Sequence, residues 1–501
     1  MDFMEMMKNN QKKETENGAI GYATQGHKLV DLNFAIPSFR EKVDTLLFDE
    51  ALAEDKLLTL KWLLYLRDIR FGVGERKAFR EFLVHLAKKD KALVADFIRN
   101  VPIEEYGRWD DYIEILDSVS PSIQRAIMFK LAVQFGKDDA YCRKGKNISL
   151  LAKWLPSENA SSARTRKLAK FVRQSFGMTS KEYRKTLARL RKHIDVVECK
   201  MSSNNWENID YEKVPSKANL LYFNAFMKHD ETRRMEYIDS LKEGKSKINS
   251  NALFLHDIVH KYVDYDYYCN VLCYNETLEQ MWKAQDKVSG FKNTIVVRDG
   301  SYSMMTYIDA YSSIRAIDVA NAITLYCAEN NEGEFKNKFI TFSSRPVIVD
   351  VSKYETLQDK LRYMMSRDDM TNTNIESVFD IILDTAIRNN VSNNDIPRNV
   401  LIISDMEFDM ATGRKANCTL FDTISAKFMD AGYEMPKLVF WNVNSRTNAI
   451  PMQKNKNGVI LLSGFSKNLM NMVMSSELDP YKALVKELSR DRYSVIDKLN
   501  I

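Results

Sequence analysis

The stretch Thr294-Ile-Val-Val-Arg-Asp299-Gly-Ser301-Tyr-Ser303-Met-Met decides how this chain is read. Its opening residues are apolar, β-branched and too few for a helix, the composition of a strand buried on both faces of a parallel sheet. The loop that follows then lies at the carboxyl edge of the sheet, where open α/β sheets bind their ligands. An aspartate and two hydroxyls at spacing D-x-S-x-S suit a hard divalent cation with retained waters, Mg2+ above all, with Mn2+ or Ca2+ as alternatives.

Two later segments repeat the layout. Asn399-Val-Leu-Ile-Ile-Ser-Asp405 is a second buried strand ending in a carboxylate, and between the two Met370-Thr-Asn-Thr373-Asn-Ile-Glu opens a helix with a free threonine hydroxyl. Further strands are expected at Lys338 to Phe342, Val347 to Val351, Leu438 to Trp441 and Val459 to Leu462. Helices are expected at Asp309 to Glu329, Ile375 to Arg388 and Phe421 to Ala431. Strands alternating with helices of that length predict a doubly wound sheet, with an antiparallel hairpin edge around Ser343 to Pro346. The order D-x-S-x-S, then Thr, then Asp resembles the metal-ion-dependent adhesion site of von Willebrand factor A domains. That resemblance implies that Ser301, Ser303 and Thr373 ligate the metal through hydroxyls, while Asp299 and Asp405 hold it directly or through water. The bland alternative is a strand-end Asp and Ser that cap the next helix.

Other readings of this half lack their parts. A phosphatase would need a second carboxylate two residues after Asp299, where Ser301 stands, and no P-loop or G-x-G-x-x-G turn occurs. A chain of 501 residues allows two to four domains, and 45% hydrophobic with 28% charged residues is ordinary for a folded protein. No apolar run reaches membrane-spanning length and no leader-like segment opens the chain, so a cytoplasmic setting without membrane is expected. Six scattered cysteines suit reduced thiols, and the pair Cys269 and Cys273 is expected to be buried small side chains rather than half of a zinc site.

Residues 1 to about 290 read as amphipathic helices with short polar joints and no strand. Examples are Pro37 to Ala53, Lys56 to Ile69, Glu75 to Leu86, Lys91 to Arg99, Trp109 to Leu116 and Ser122 to Phe135. Gly72-Val-Gly-Glu and Tyr106-Gly-Arg-Trp mark turns between them. Such a succession predicts a stacked, degenerate, HEAT-like α-helical repeat. The expected organisation is a flexible arm over 1–26, the helical module over 27–288, the A-like domain over 289–478 and a C-terminal helix over 479–501. The fold class is multidomain, α plus α/β.

Charge is concentrated. Between Tyr141 and Lys200 stand 16 Lys and Arg against 4 Asp and Glu, a net of +12, which leaves −7 on the other 441 residues of a chain whose total is +5. In the helix from Ala163 the stripe Leu168, Phe171, Val172, Phe176 faces a core and Arg166, Lys170 and Arg173 share another face. In the next, Thr179 to Glu182 is a capping box and Tyr183, Leu187, Leu190 and Ile194 form the buried stripe. Arg184, Lys185, Arg189, Arg191 and Lys192 lie outside that stripe, and Arg143, Lys144 and Lys146 on the preceding loop complete a basic ridge. Acidic partners within the segment are too few for i,i+4 pairs to explain it. A solvated helix face is the plain reading; a polyanion site, usually nucleic acid, is the sharper one.

A helical-repeat module joined to an A-like domain, with Gly107-Arg108-Trp109 in the repeats and D-x-S-x-S-M opening the A domain, resembles the TROVE-module proteins, the Ro autoantigen group. The stretch from Val196 to Ala218, with Ser404-Asp-Met-Glu-Phe-Asp409, is similar to uncharacterised plant, bacterial and phage relatives of that group. The resemblance covers about Phe34 to Met474 and implies a helical arc or ring clasped by the A domain, a ribonucleoprotein scaffold for non-coding RNA. It departs at Tyr302, where the group has Gly; that position offers no ligand, so metal binding should survive while a partner's carboxylate meets a bulkier approach.

Weaker constellations remain. His256-Asp-Ile-Val-His260 has the spacing of zinc peptidases but lacks their glutamate and a third ligand. All six histidines precede residue 261, so no histidine base is expected in the A domain and no Ser-His-Asp pairing is visible. Met470, Met472 and Met474 read as core. The expectation is therefore a non-enzymatic RNA-binding scaffold with one divalent metal and, through it, a possible protein partner. The rivals are a metal-dependent protein adapter without nucleic acid and, less favoured, a metal-dependent nuclease.

Overall fold

The computed structural model describes residues 12–264, 270–288, 291–310, 312–342, 346–368, 374–409, 420–453, 458–474 and 477–501. The chain divides into two compact units, one of residues 60–249 and 490–501, the other of residues 1–59 and 250–489.

The first unit contains helices only. Helix α1 (Lys77–Lys89) buries Ala78, Phe79, Phe82, Leu83, Leu86 and Ala87, one stripe of an amphipathic surface. Asp90 ends it, and the Asp90 carboxylate accepts the Leu93 N–H at 2.9 Å to start α2 (Lys91–Asn100). Helix α3 (Pro121–Arg143) runs on past the expected end at Phe135. The reason is Asp138, buried on that extension and satisfied by Gln134 Nε2 at 2.8 Å and the Ser149 N–H at 3.0 Å. Helices α4 (Ala163–Ser175) and α5 (Ser180–His193) follow, the second opening on the expected Thr179–Glu182 capping box. Phe135, Phe176 and Tyr183 form an aromatic cluster, with Phe135 5.0 Å from Phe176 and 6.2 Å from Tyr183, that joins α3 to the end of α4 and to α5. Phe171, expected in the buried stripe, is exposed; Ala169 takes the inward place instead.

The Gly-Arg-Trp turn has a structural cause. Arg67 and Asp111, both buried, pair at 2.7 Å, and Asp111 also accepts Arg80 Nε at 2.9 Å and the Arg108 N–H at 3.0 Å. A Cβ on Gly107 would lie 2.5 Å from Asp111 Oδ2 and 2.7 Å from Arg67 Nε, so only glycine lets the chain pass this ion pair. Trp109 Nε1 donates to Glu104 at 2.8 Å, fixing the other side of the turn. Residues 490–501 join this unit through Arg492 and Tyr493, both of which reach the Asp68 carboxylate. The single C-terminal helix expected over 479–501 is therefore split: Pro480–Leu488 belongs to the other unit and Asp491–Lys498 is a 3-10 helix here.

In the second unit a short helix α6 (Leu255–Val259) precedes strand β1 (Thr294–Asp299) and helix α7 (Ala316–Asn330). Then come β2 (Lys338–Phe342), β3 (Val347–Asp350), β4 (Asn399–Ser404), β5 (Lys437–Asn442) and β6 (Val459–Ser463). They form one sheet in the order β6-β5-β4-β1-β2-β3, parallel except for the expected antiparallel β2–β3 edge. Four of them (β1, β4, β5 and β6) are almost wholly buried, as continuous β-branched runs require. Helix α7 starts seven residues later than expected at Ala316, because Asp318 on its first turn accepts the Arg315 N–H at 3.0 Å and fixes the start there.

Residues 12–26, expected as part of a loose arm, are stitched to this unit. Lys12–Glu14 and Ile20–Tyr22 pair as two short strands, and Tyr22 exchanges backbone hydrogen bonds with Ile450 at 2.8 and 2.9 Å. Thr15 Oγ1 donates to the Phe408 carbonyl at 2.7 Å, and the Glu16 N–H to Glu407 at 2.8 Å. The buried Glu407 carboxylate also accepts the Arg446 and Thr447 N–H groups at 2.8 and 2.9 Å and the Ser445 hydroxyl at 3.2 Å. Neither these strands nor the pair Val263–Asp264 and Asn270–Val271 was expected in a strandless half.

Two outcomes follow. Gly107→Ala should break the Arg67–Asp111 pair and cost on the order of 3–5 kcal/mol, the loss typical of a severed buried ion pair, read as a fall in the urea midpoint. A midpoint within error of wild type would show that the turn tolerates a Cβ. Glu407→Ala should leave several buried donors unpaired, at about 1–3 kcal/mol for each one that stays dry, and release residues 12–22. Amide exchange there should accelerate at least about tenfold (one RT-scaled factor per 1.4 kcal/mol), and unchanged protection would place the anchor elsewhere.

Candidate metal centre and cationic surface

Asp299 ends β1 and Asp405 follows β4, and these neighbouring strands flank the point where the sheet order reverses. Doubly wound sheets bind ligands at that switch point. Asp299 Oδ1 accepts the Ser301 N–H at 2.9 Å and Oδ2 accepts the Ser404 hydroxyl at 2.5 Å. The Ser301 and Ser303 hydroxyls lie 2.9 Å apart, and Ser303 is near enough to the Asp405 carboxylate to favour its ionised form. Four of the five expected ligands are thus brought together at one sheet edge. Thr373 lies outside the described residues.

Both carboxylates are fully buried. Burial pushes the Asp299 carboxyl up from its ordinary value, against the hydrogen bonds of Ser301 and Ser404. Burial, and then the neighbouring Asp299, push Asp405 up to about 7, with Arg446 working the other way. Asp405 Oδ1 accepts the Glu407 N–H at 3.2 Å, whereas Oδ2 has no hydrogen-bond partner among the described residues and the Arg446 guanidinium stands 3.4 Å off. A buried carboxylate oxygen without a donor is costly unless a cation meets it. Together with two hydroxyls and a second carboxylate it forms an all-oxygen donor set that fits a hard divalent ion. Among the described residues no three His, Cys, Asp or Glu side chains converge on a metal, so the serines are indispensable to such a site. Between Asp405 and Glu407 the buried Met406 takes a left-handed φ of 64°, a conformation that costs a non-glycine residue roughly 1–2 kcal/mol.

Asp368, the last described residue before 369–373, forms a bidentate pair with the buried Arg298 of β1. A Cβ on Gly300 would sit 2.7 Å from Asp368 Oδ1, which explains the glycine of the D-G-S turn. Tyr302 is 73% exposed and directs its ring into solvent.

The basic segment sorts into two chemistries. Arg143 and Arg189 share Asp139, which lies just outside the segment, while Arg173 pairs with Glu158 at 2.8 Å and Arg184 approaches it at 4.0 Å. Arg166 caps the Ala160 carbonyl at 2.7 Å. Arg191 donates to the Ala152 and Leu155 carbonyls and the Ser157 hydroxyl, at 2.9, 2.7 and 2.7 Å. Lys144, Lys146, Lys170, Lys185 and Lys192 are exposed and have no carboxylate partner among the described residues. Lys185 and Lys192, two turns apart on α5, line an open cleft of about 890 Å³ together with Arg184, Arg191 and Lys200. The acids in its wall are Glu158, engaged by Arg173, and Asp195, engaged by Lys200 at 2.8 Å.

The two histidines at zinc spacing do not converge on a metal. His256 is buried and stacked on Phe254 with centroids 5.2 Å apart. His260 instead holds Asp318 through Nδ1 at 2.9 Å and Ser313 through Nε2 at 3.0 Å, a Ser-His-Asp arrangement that sequence reading did not find. Nothing in the sequence signalled it, since 58 residues separate the imidazole from its carboxylate. Met470 and Met472 are core, as expected, while Cys273 is exposed rather than buried; Cys269 lies outside the described residues. Among the described residues no helix is long and apolar enough to cross a membrane.

Residues 293–494 match a family model described as a domain of unknown function (DUF7788), and residues 172–297 match a second, DUF2828. Among solved structures, the crystal structure of the Deinococcus radiodurans Ro (RSR) protein is similar with a TM-score of 0.45 at 11% identity, covering 89% of this chain and 99% of that one. Uncharacterized protein L728 of Acanthamoeba polyphaga mimivirus is 31% identical over 507 residues, spanning 92% of this chain and 84% of its own length. Identity at that level along nearly the whole sequence, through the helical unit and the sheet alike, means that the chain belongs to the same family as the mimivirus protein L728.

Proposed function

We propose that this protein is an RNA-binding scaffold that holds phosphates through lysines of its helical unit and one divalent cation at the switch point of its sheet. The observation that carries the reading is the set of exposed lysines without carboxylate partners, two of them in the wall of the cleft beside α5. Ammonium groups without local counterions are what a phosphate backbone neutralises on binding. The Gly107-Arg108-Trp109 turn and the D-x-S-x-S loop, which resemble the Ro group, favour RNA over DNA as the polyanion.

Lys185→Glu with Lys192→Glu should weaken binding of a single-stranded RNA oligonucleotide and flatten the plot of log affinity against log salt by roughly 0.7 per lost contact. Thermal stability should be unchanged, because neither side chain holds the fold. Arg191→Ala is the contrasting control, since its three hydrogen bonds are structural and its loss should lower the melting temperature. Full RNA affinity in the double variant would remove this surface from the account.

For the cation, Ser301, Ser303, Asp299 and Asp405 would supply the oxygens, with Thr373 as the fifth donor. A bound divalent ion would neutralise the buried carboxylates and offer an open coordination position to an acidic group of a protein partner. Saturating Mg2+ should raise the melting temperature of the wild type, by about 2.7 kcal/mol of stabilisation at a hundredfold excess over Kd. Asp405→Asn should melt at or above the wild type in EDTA, because one of two buried like charges is gone, and should not respond to Mg2+. A variant that still responds would refute the ligand assignment. RNA binding that survives EDTA keeps the two functions separate, whereas its loss together with RNA cleavage would favour a nuclease.

A further inference from the structure

We propose that Ser313, His260 and Asp318 form a nucleophile, base and acid that hydrolyse small carboxylic esters. The geometry comes first. Asp318 Oδ2 and His260 Nδ1 lie 2.9 Å apart, and His260 Nε2 and Ser313 Oγ lie 3.0 Å apart. A nucleophile bonded to one imidazole nitrogen and a carboxylate to the other is the constellation by which unrelated folds activate serine. A hydrogen bond from Nδ1–H to the carboxylate leaves the Nε2 lone pair directed at the serine hydroxyl.

Each member is held. Asp318 is fully buried on the first turn of α7, where the same oxygen also accepts the Arg315 N–H at 3.0 Å. His260 ends α6, its backbone N–H bonded to the His256 carbonyl at 2.9 Å. Ser313 stands on the return limb of a narrow loop closed by Ile308 N–H to the Ile314 carbonyl at 3.1 Å and Ala316 N–H to the Thr306 carbonyl at 3.0 Å. Burial falls off in the direction the chemistry needs: the carboxylate is dry, the imidazole side chain is 20% exposed, and the serine is open to solvent. The Ser313 backbone N–H has no partner among the described residues and so is free to donate to the oxygen of an acyl group attached at its own side chain. Capping α7 explains the Arg315–Asp318 bond; it does not explain a serine on the far nitrogen of the histidine.

In the reaction the Ser313 oxygen bonds to the ester carbonyl carbon as its proton passes to His260 Nε2. Collapse of the tetrahedral adduct breaks the carbon–alkoxide bond, and the alkoxide leaves with that proton as the alcohol. Water, deprotonated by the same nitrogen, attacks the acyl-serine; the acid departs and the proton returns to Ser313. No oxidant, metal or other co-reactant enters. Ser313 is exposed on its loop, and short activated esters, which need few contacts beyond the acyl carbon, are the class it takes. General-base assistance of this kind is worth about 10²–10⁴-fold.

The test uses the full chain with p-nitrophenyl acetate, and separately a fluorophosphonate probe with peptide mapping of the adduct. Wild type should release nitrophenolate at least tenfold faster than Ser313→Ala, and the probe should map to Ser313. His260→Gln should lose both signals while keeping the wild-type melting temperature and Mg2+ response. An adduct on Ser313 that forms equally fast in His260→Gln, or no adduct there at all, would overturn the proposal. RNA binding and Mg2+ binding are read out independently of either result.

Discussion

Two carboxylates of like charge, buried side by side where the order of the sheet reverses, are the constraint around which the α/β unit is built. An unpaired ionised carboxylate is costly in a dry interior, and donors and one cation are gathered around Asp299 and Asp405. Ser404 and the Ser301 N–H take Asp299, the Glu407 N–H takes Asp405, and Arg446 supplies a positive charge at 3.4 Å. The same guanidinium pairs with Glu16 at 2.5 Å. Glu407, one residue past the left-handed Met406, holds the 445–447 backbone and the Glu16 N–H. The chain near its start is therefore part of the site's support rather than an appendage to it.

What the sequence disclosed depends on whether the deciding contacts were local. The buried strands β4, β5 and β6 were legible to within a residue at each end, since burial on both faces demands unbroken apolar runs. The Thr179 capping box was legible because it closes within three residues. The start of α7 was not, because Arg315 is no ordinary capping residue and the apolar periodicity begins upstream of it. Residues 12–22 read as polar arm because their partners, Phe408 and Ile450, lie nearly four hundred positions or more away.

That Asp299, Ser301, Ser303 and Asp405 lie together at one sheet edge was readable from the sequence, because a strand end places its next residues at the sheet edge whatever the rest of the chain does. The Ser313–His260–Asp318 cluster escaped for the converse reason. Spacing suggested that His256 and His260 act together, yet one turn of helix sends the first into an aromatic stack and the second to a different element.

In the basic segment a census of charge overstated what is available to a ligand. Asp139 and Glu158 absorb arginines from up to fifty residues away, pairings that no i,i+4 rule reveals. Arginine and lysine largely divide the work: the planar forks close on carboxylates and carbonyls, and the ammonium groups of Lys144, Lys146, Lys170, Lys185 and Lys192 stay in water, while Lys200 pairs with Asp195. A surface of lysines neutralises phosphates but reads no sequence. In the RNA-binding reading proposed above, discrimination among RNAs would have to come from groups that can meet base edges, and side-chain amides, which both donate and accept, stand in the same cleft at Asn159, Asn205 and Asn208.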